Sequence, residues 1–249
     1  MTVSRRDLLL GCSAAAGLAS LSQLTGPVEA APRPNTRLES PADPLKGCIP
    51  SDRLAELLEG NRRFADTWDK AEAATNKGER ARILATLWDD NCHTDRSVLE
   101  GNQAPWAAIL TCADSRVAPE WVFNASLNEL FVIRSAGNTA FDDAVASLEY
   151  AFAVLAIPLI MVMGHSNCGA VKASMGGQLP TPMLRKLVLP IQASLAPNTN
   201  LKSATESNVR FTARALTERS ELLRTAQAKG DLTIQAAYLD VPTGLVALL

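Results

Sequence analysis

Two short segments of the chain contain residue types that bind a catalytic metal ion. Cys112-Ala-Asp-Ser-Arg116 offers a thiol, a carboxylate and a guanidinium, and His165-Ser-Asn-Cys168 offers an imidazole and a second thiol. Thiolate sulfur and imidazole nitrogen are donors that Zn²⁺ prefers, and three protein ligands leave the fourth coordination position open for water. Zinc in such a site lowers the pKa of bound water toward about 7, which supplies hydroxide at neutral pH. The two segments therefore predict a catalytic zinc site with Cys112, His165 and Cys168 as its ligands.

Two roles are open to Asp114 in such a site. As a fourth zinc ligand it would close the coordination sphere. Paired with Arg116, whose planar guanidinium matches a carboxylate, it would stay off the metal and accept a hydrogen bond from the bound water. A surface Asp–Arg pair without a catalytic role would contribute only about 0–1 kcal/mol of stability.

Continuous apolar segments of strand length precede both motifs. Residues 106–111 lead into the first motif, residues 159–163 lead into the second, and residues 130–133 form a third segment of this kind. Buried strands that alternate with amphipathic helices indicate an α/β fold with a mainly parallel central β-sheet flanked by helices. Because open α/β sheets place their sites at the carboxyl ends of the strands, we expect both motifs to meet at that edge.

Helical patterns account for most of the remaining sequence. An N-terminal helical arm is expected after Ser51, where Leu54, Leu57, Leu58 and Phe64 recur at helical spacing. Further elements are expected as helices at about 78–90, at 119–123, from Asp142, from near Ser166 and from about Val209 to Gly230, and as closing strands at 232–239 and 245–248.

Length and composition predict one soluble domain over residues 51–249. The chain has 249 residues, of which 47% are hydrophobic and 20% charged, as in ordinary globular proteins. Its net charge of −2 offers no basic surface for nucleic acid or for an anionic membrane. Residues 31–50 contain five prolines without apolar periodicity, which predicts an extended arm.

The first 30 residues are typical of an export signal. Ser4-Arg5-Arg6-Asp7-Leu8-Leu9 resembles a twin-arginine signal, and Val28-Glu29-Ala30 suits signal cleavage. The apolar run between them is too short and too polar for a membrane anchor, so no membrane insertion of the mature chain is expected. We therefore expect a periplasmic or otherwise exported protein. Whether Cys48 and Cys92 form a disulfide in an oxidising compartment is left open by the sequence.

The two motifs resemble those of the β-class carbonic anhydrases. Cys112-x-Asp114-x-Arg116 and His165-x-x-Cys168 match the motif pair of that family without a gap. The resemblance extends from about Leu54 to the C-terminus and includes residues 60–64, 130–134, 136–138, 147–150, 238–240 and 243–244. It implies the β-carbonic anhydrase fold, Zn²⁺ bound by the two cysteines and the histidine, a catalytic dyad of Asp114 and Arg116, and a homodimer or higher homo-oligomer.

The resemblance also implies an activity and a substrate pocket. Carbonic anhydrases are zinc lyases that reversibly hydrate CO₂ to bicarbonate and a proton by attack of zinc-bound hydroxide. Gln103 matches a glutamine that hydrogen-bonds the substrate in the plant-like subgroup. Phe131 and Tyr150 match residues that line the CO₂ pocket, partly from the neighbouring subunit, and the backbone N–H of Gly169 matches another substrate contact.

Two alternative functions stay open. The same scaffold could hydrolyse another small linear substrate, carbon disulfide or carbonyl sulfide, or it could be a non-catalytic zinc-held module, against which the intact Asp114 and Arg116 argue. Ile109 stands where the subgroup regulated by a second bicarbonate site has tryptophan, which favours the subgroup whose site stays open. His93 is the one histidine outside the zinc motif and a candidate proton shuttle, although a polar surface loop is its more ordinary setting.

Overall fold

The computed structural model describes residues 48–249, apart from 90–91, 93–95, 102, 177–178, 180 and 198. The predicted export signal over residues 1–30, the arm over residues 31–50 except for its last three residues, and His93 lie outside the described residues. Among the helices that are described, none combines the length and the apolar character that a membrane crossing requires.

In the described part of the chain, five strands form one sheet in the order β2-β1-β3-β4-β5. The strands are β1 (Ala107–Cys112), β2 (Leu130–Ser135), β3 (Leu159–His165), β4 (Thr233–Asp240) and β5 (Leu245–Leu248). The first four pair in parallel, and β5 pairs antiparallel with β4. This topology confirms the predicted α/β fold with a mainly parallel sheet.

Helices cover both faces of the sheet. They are α1 (Arg53–Glu72), α2 (Lys77–Ala85), α3 (Arg96–Gly101), α4 (Pro119–Val122), α5 (Asp142–Ala153), α6 (Gly169–Met175), α7 (Pro182–Ala193), α8 (Leu201–Arg219) and α9 (Glu221–Lys229), with a 3₁₀ turn at Thr86–Trp88. Successive residues of β1 alternate between the faces. Leu110 belongs to an apolar cluster with residues of α5, α8 and α9, whereas Ile109 belongs to a second cluster with Leu57 of α1 and Val122 of α4. The core strands are therefore buried on both sides.

The C-terminal helical region differs from its prediction. The single helix expected up to Gly230 is divided, because α8 ends at Arg219 and α9 begins at Glu221. Ser220 between them has extended backbone, and its hydroxyl accepts the backbone N–H of Leu223 and donates to Glu149 at 2.6 Å. This serine therefore caps a new helix instead of continuing the old one. Gly230 ends α9 in the left-handed conformation, as expected.

Two boundaries near the motifs also differ from the prediction. Strand β3 does not end with the apolar segment at residue 163 but continues to His165, and the helix expected from near Ser166 begins at Gly169. A side chain on Gly164 would lie 2.4 Å from Val209 of α8, so glycine here permits close contact between strand and helix. Both changes place the second motif on the strand end and the turn that follows it.

Cys48 and Cys92 form a disulfide, which answers the question that the sequence left open. Their Cα atoms are 5.6 Å apart, and the bond spans 44 residues of sequence. It connects the residues that precede α1 to the segment between the 3₁₀ turn and α3. Of the described cysteines, Cys112 and Cys168 remain as buried free thiols.

Candidate active site

The carboxyl ends of two adjacent strands bring the predicted zinc ligands together. Cys112 is the last residue of β1 and His165 is the last residue of β3, while Cys168 is the N-cap residue of α6. The two sulfurs and a ring nitrogen of His165 lie within 4.8 Å of one another, and all three residues are buried. Asn167, between the histidine and the second cysteine, has a φ of 56°, a left-handed conformation that asparagine adopts more readily than most residues.

The donor atoms fit a tetrahedral zinc ion. Two sulfurs at the usual Zn–S distance would lie about 3.8 Å apart across a tetrahedral centre, and Sγ of Cys112 is 3.9 Å from Sγ of Cys168. His165 Nδ1 is 3.0 Å from the carbonyl oxygen of Ser166, whereas its Nε2 is buried without a hydrogen-bond partner among the described residues. A hydrogen bond of this kind fixes the tautomer and leaves the other ring nitrogen available to a metal.

The two thiols differ in their affinity for a proton. The hydrogen bond with Cys168 is the main reason why the pKa of Cys112 is lowered to about 4, with further contributions from His165 and from the Gly137 backbone. The same hydrogen bond and burial raise the pKa of Cys168. A divalent cation between the sulfurs would supply the charge that a second thiolate needs.

Arg116 holds the Asp114 carboxylate in a two-point ion pair. Its Nε donates to Asp114 Oδ1 at 2.9 Å and its Nη2 to Oδ2 at 2.7 Å, while the Arg116 backbone N–H donates to Oδ1 at 3.0 Å. These hydrogen bonds hold the pKa of the Asp114 carboxyl well below its usual range. Oδ2 also lies 3.8 Å from Nε2 of His165. Of the two arrangements that the sequence left open, this is the arginine-paired one, with the carboxylate beside the predicted metal ligands.

Arg134 is a member of the site that sequence reasoning missed. Its Nε donates to the carbonyl oxygen of Cys112 at 3.0 Å, and its Nη2 donates to that of Asp114 at 2.7 Å. The guanidinium therefore holds the backbone that carries the first motif. Residue 134 directly follows the apolar segment at residues 130–133, and the parallel pairing of β2 with β1 sets it opposite Thr111. Its position directly after a predicted buried strand was the available signal.

The predicted substrate residues do not all lie beside the predicted metal ligands in one chain. Gly169 directly follows Cys168 as the first residue of α6. Phe131 pairs in register with Ala108, four residues before the end of β1, which is roughly 13 Å along the strand. Tyr150, whose ring lies 6.3 Å from that of Phe131, is 45% exposed. Gln103 is exposed and precedes the amino end of β1.

The chain is similar in sequence to proteins named carbonic anhydrases. A sequence profile described as "Carbonic anhydrase" matches residues 107–246, which is more than half of the chain. "Carbonic anhydrase 2" of Mycobacterium tuberculosis is 36% identical over 162 residues, covering 61% of this chain and 78% of that protein. "Carbonic anhydrase" of Mycolicibacterium smegmatis is 40% identical over 104 residues, which cover 40% of this chain and 50% of that protein. The chain thus spans about half the length of this last relative.

Solved structures share the fold. A Coccomyxa β-carbonic anhydrase in complex with acetazolamide has 28% sequence identity and a TM-score of 0.56, covering 80% of this chain and 87% of its own. A tetrameric β-carbonic anhydrase from Sordaria macrospora has the same TM-score of 0.56 with 22% identity, covering 61% of this chain and 83% of its own, and supports the fold alone.

Proposed function

Because the chain belongs to the β-class carbonic anhydrase family, we propose that it is a zinc enzyme that interconverts CO₂ and bicarbonate. One observation carries this proposal: two buried thiols and an imidazole converge beside a carboxylate that an arginine holds at two points. Zinc bound by these ligands would lower the pKa of a water molecule toward about 7 and supply hydroxide for attack on CO₂.

The residues around the ligands would bind and orient the reactants. Asp114, kept ionised by Arg116, would accept a hydrogen bond at Oδ2 from a water molecule and so orient it for attack. Its engagement by Arg116 through both oxygens would keep it from taking the fourth coordination position. The backbone N–H of Gly169, in the first turn of α6, has no partner within the helix and could donate to a substrate oxygen.

We assign Gln103, Phe131 and Tyr150 to the pocket of a neighbouring subunit. The register of Phe131 sets it roughly four residues along the sheet from the end that carries Cys112. Strand β2 is at the edge of the sheet, and the Tyr150 side chain beside Phe131 is partly exposed and accessible to a second copy. A homodimer or higher homo-oligomer would then complete each site.

Stopped-flow CO₂ hydration on protein of measured zinc content tests the proposed function. We expect activity in proportion to bound zinc, its loss on chelation and its return with added Zn²⁺. Parallel assays with carbon disulfide and carbonyl sulfide separate the alternative substrates, since turnover of either without CO₂ hydration would reassign the enzyme. Stoichiometric zinc without activity on any of the three would indicate a structural module.

We further propose that the chain is exported through its first 30 residues. The Cys48–Cys92 disulfide supports this, because such bonds persist mainly in oxidising compartments. We expect Arg5→Lys/Arg6→Lys to keep the protein in the cytoplasm with both cysteines reduced, whereas the exported wild type carries the disulfide. Cell fractionation followed by thiol alkylation and mass spectrometry measures both properties. A disulfide that forms equally in the retained variant would remove this support.

A further inference from the structure

The backbone of Gly137 lies between the Cys112 sulfur and the helices α6 and α7. Its backbone N–H donates to Sγ of Cys112 at 3.3 Å. Its φ is +87°, and a Cβ at this position would lie 2.5 Å from Ile191 of α7 and 3.1 Å from Ala170 of α6. The left-handed backbone favours glycine, and a Cβ here would displace the end of the Ile191 side chain. The hydrogen bond to the sulfur therefore depends on the groups that fix the backbone conformation of Gly137.

Asn208 of α8 holds that backbone. Its Nδ2 donates to the carbonyl oxygen of Gly137 at 2.9 Å, across 71 residues of sequence. The residue is fully buried, and its Oδ1 has no hydrogen-bond partner among the described residues. Leaving a buried amide oxygen without a partner is unfavourable for stability. Burial of an asparagine here is therefore better explained by its hydrogen bond to Gly137 than by packing.

We propose that Asn208 is a positioning residue for the metal site, which acts through Gly137 on the sulfur of Cys112. By holding the Gly137 carbonyl, it keeps the Gly137 N–H directed at the sulfur. An N–H hydrogen bond withdraws electron density from a thiolate, and groups around the ligands set both metal affinity and ligand orientation. This inference rests on the proposed role of Cys112 as a zinc ligand.

The test replaces Asn208 by leucine, which has a similar volume and no donor. We expect metal affinity, measured by chelator competition with Zn²⁺, to fall by about 10- to 100-fold, because the Cys112 sulfur is no longer held in the orientation that binds the metal. In the Co²⁺-substituted protein, we expect the sulfur-to-cobalt charge-transfer band to move to lower energy, because the sulfur loses its hydrogen bond. A role limited to stability would change neither the affinity nor the band of the folded variant.

Thr205→Val is the matched control on the same helix. Thr205 is also buried, but its hydroxyl donates within α8 to the Leu201 carbonyl oxygen at 2.8 Å. We expect this variant to keep the wild-type metal affinity and Co²⁺ spectrum. If Thr205→Val changed both properties as Asn208→Leu does, the effect would belong to helix packing and the proposal would be overturned.

The remaining outcomes are also decisive. A folded Asn208→Leu protein with wild-type affinity and spectrum would overturn the proposal while leaving the zinc function intact. A wild type that binds neither Zn²⁺ nor Co²⁺ would instead defeat the proposed function itself. If Asn208→Leu does not fold, Asn208→Ala replaces it in the same measurements. Should neither variant fold, Asn208 is a stability residue and the proposal is wrong.

Discussion

The Cys168→Ser variant should lose its zinc and at least about 10³-fold of kcat/KM for CO₂ hydration. A serine hydroxyl stays protonated at neutral pH and is a poor replacement for thiolate as a zinc donor. The remaining pair, Cys112 and His165, would leave two coordination positions to water. Zinc content after dialysis and stopped-flow hydration measure the two losses together.

The disulfide cysteines provide the control for this experiment. Cys48→Ser/Cys92→Ser removes two sulfurs outside the metal cluster, so zinc content and activity per folded protein should match the wild type. A Cys168→Ser protein with full zinc and wild-type turnover would contradict the proposed ligand set.

Removal of the Arg116 side chain should separate the two properties, with zinc kept and activity lost. In Arg116→Ala the Asp114 carboxylate would lose both side-chain hydrogen bonds from Arg116. Because its Oδ2 lies only 3.8 Å from Nε2 of His165, the carboxylate could then bind the metal. We expect kcat/KM to fall by about 10²–10⁴-fold, the range that a positioned acid–base group contributes. Stopped-flow assays and the Co²⁺ spectrum, which reports a change of ligand, would measure these effects.

Two further substitutions make this test specific. Arg116→Lys keeps the charge but cannot reproduce the planar two-point geometry, so an intermediate activity is expected. Arg219→Ala removes another arginine paired with an aspartate, Asp142, on the exposed surface and should leave activity unchanged. Wild-type activity in Arg116→Ala would exclude Asp114 and Arg116 as the catalytic dyad.

The core of the fold was predictable because its strands are continuous apolar segments. β1, β2 and β3 each begin within one residue of the predicted position, since burial on both faces leaves a strong local signal. The predicted zinc ligands were recognisable for a related reason. Neither motif is convincing alone, but the chain has only two histidines, and the joint occurrence of both motifs after two such segments favours a metal site.

The features that sequence reasoning missed depend on contacts between distant residues. Helical periodicity does not show the break at Ser220, whose hydroxyl caps α9 and also donates to Glu149, 71 residues away. Arg134 and Asn208 act on backbone carbonyl groups, which leave no signal in the side-chain pattern. The Cys48–Cys92 bond was named but left open, because only the folded chain brings the two cysteines together.

The 3.9 Å separation of the Cys112 and Cys168 sulfurs has a practical consequence. A shift of about 2 Å would bring them to the length of a disulfide bond. An oxidant that reaches the metal-free protein can therefore oxidise the two cysteines to a disulfide. Bound zinc would prevent this oxidation of Cys112 and Cys168. Chelator treatment in air should yield protein that accepts no new metal until a reductant is added, while the same treatment under reducing conditions stays reversible.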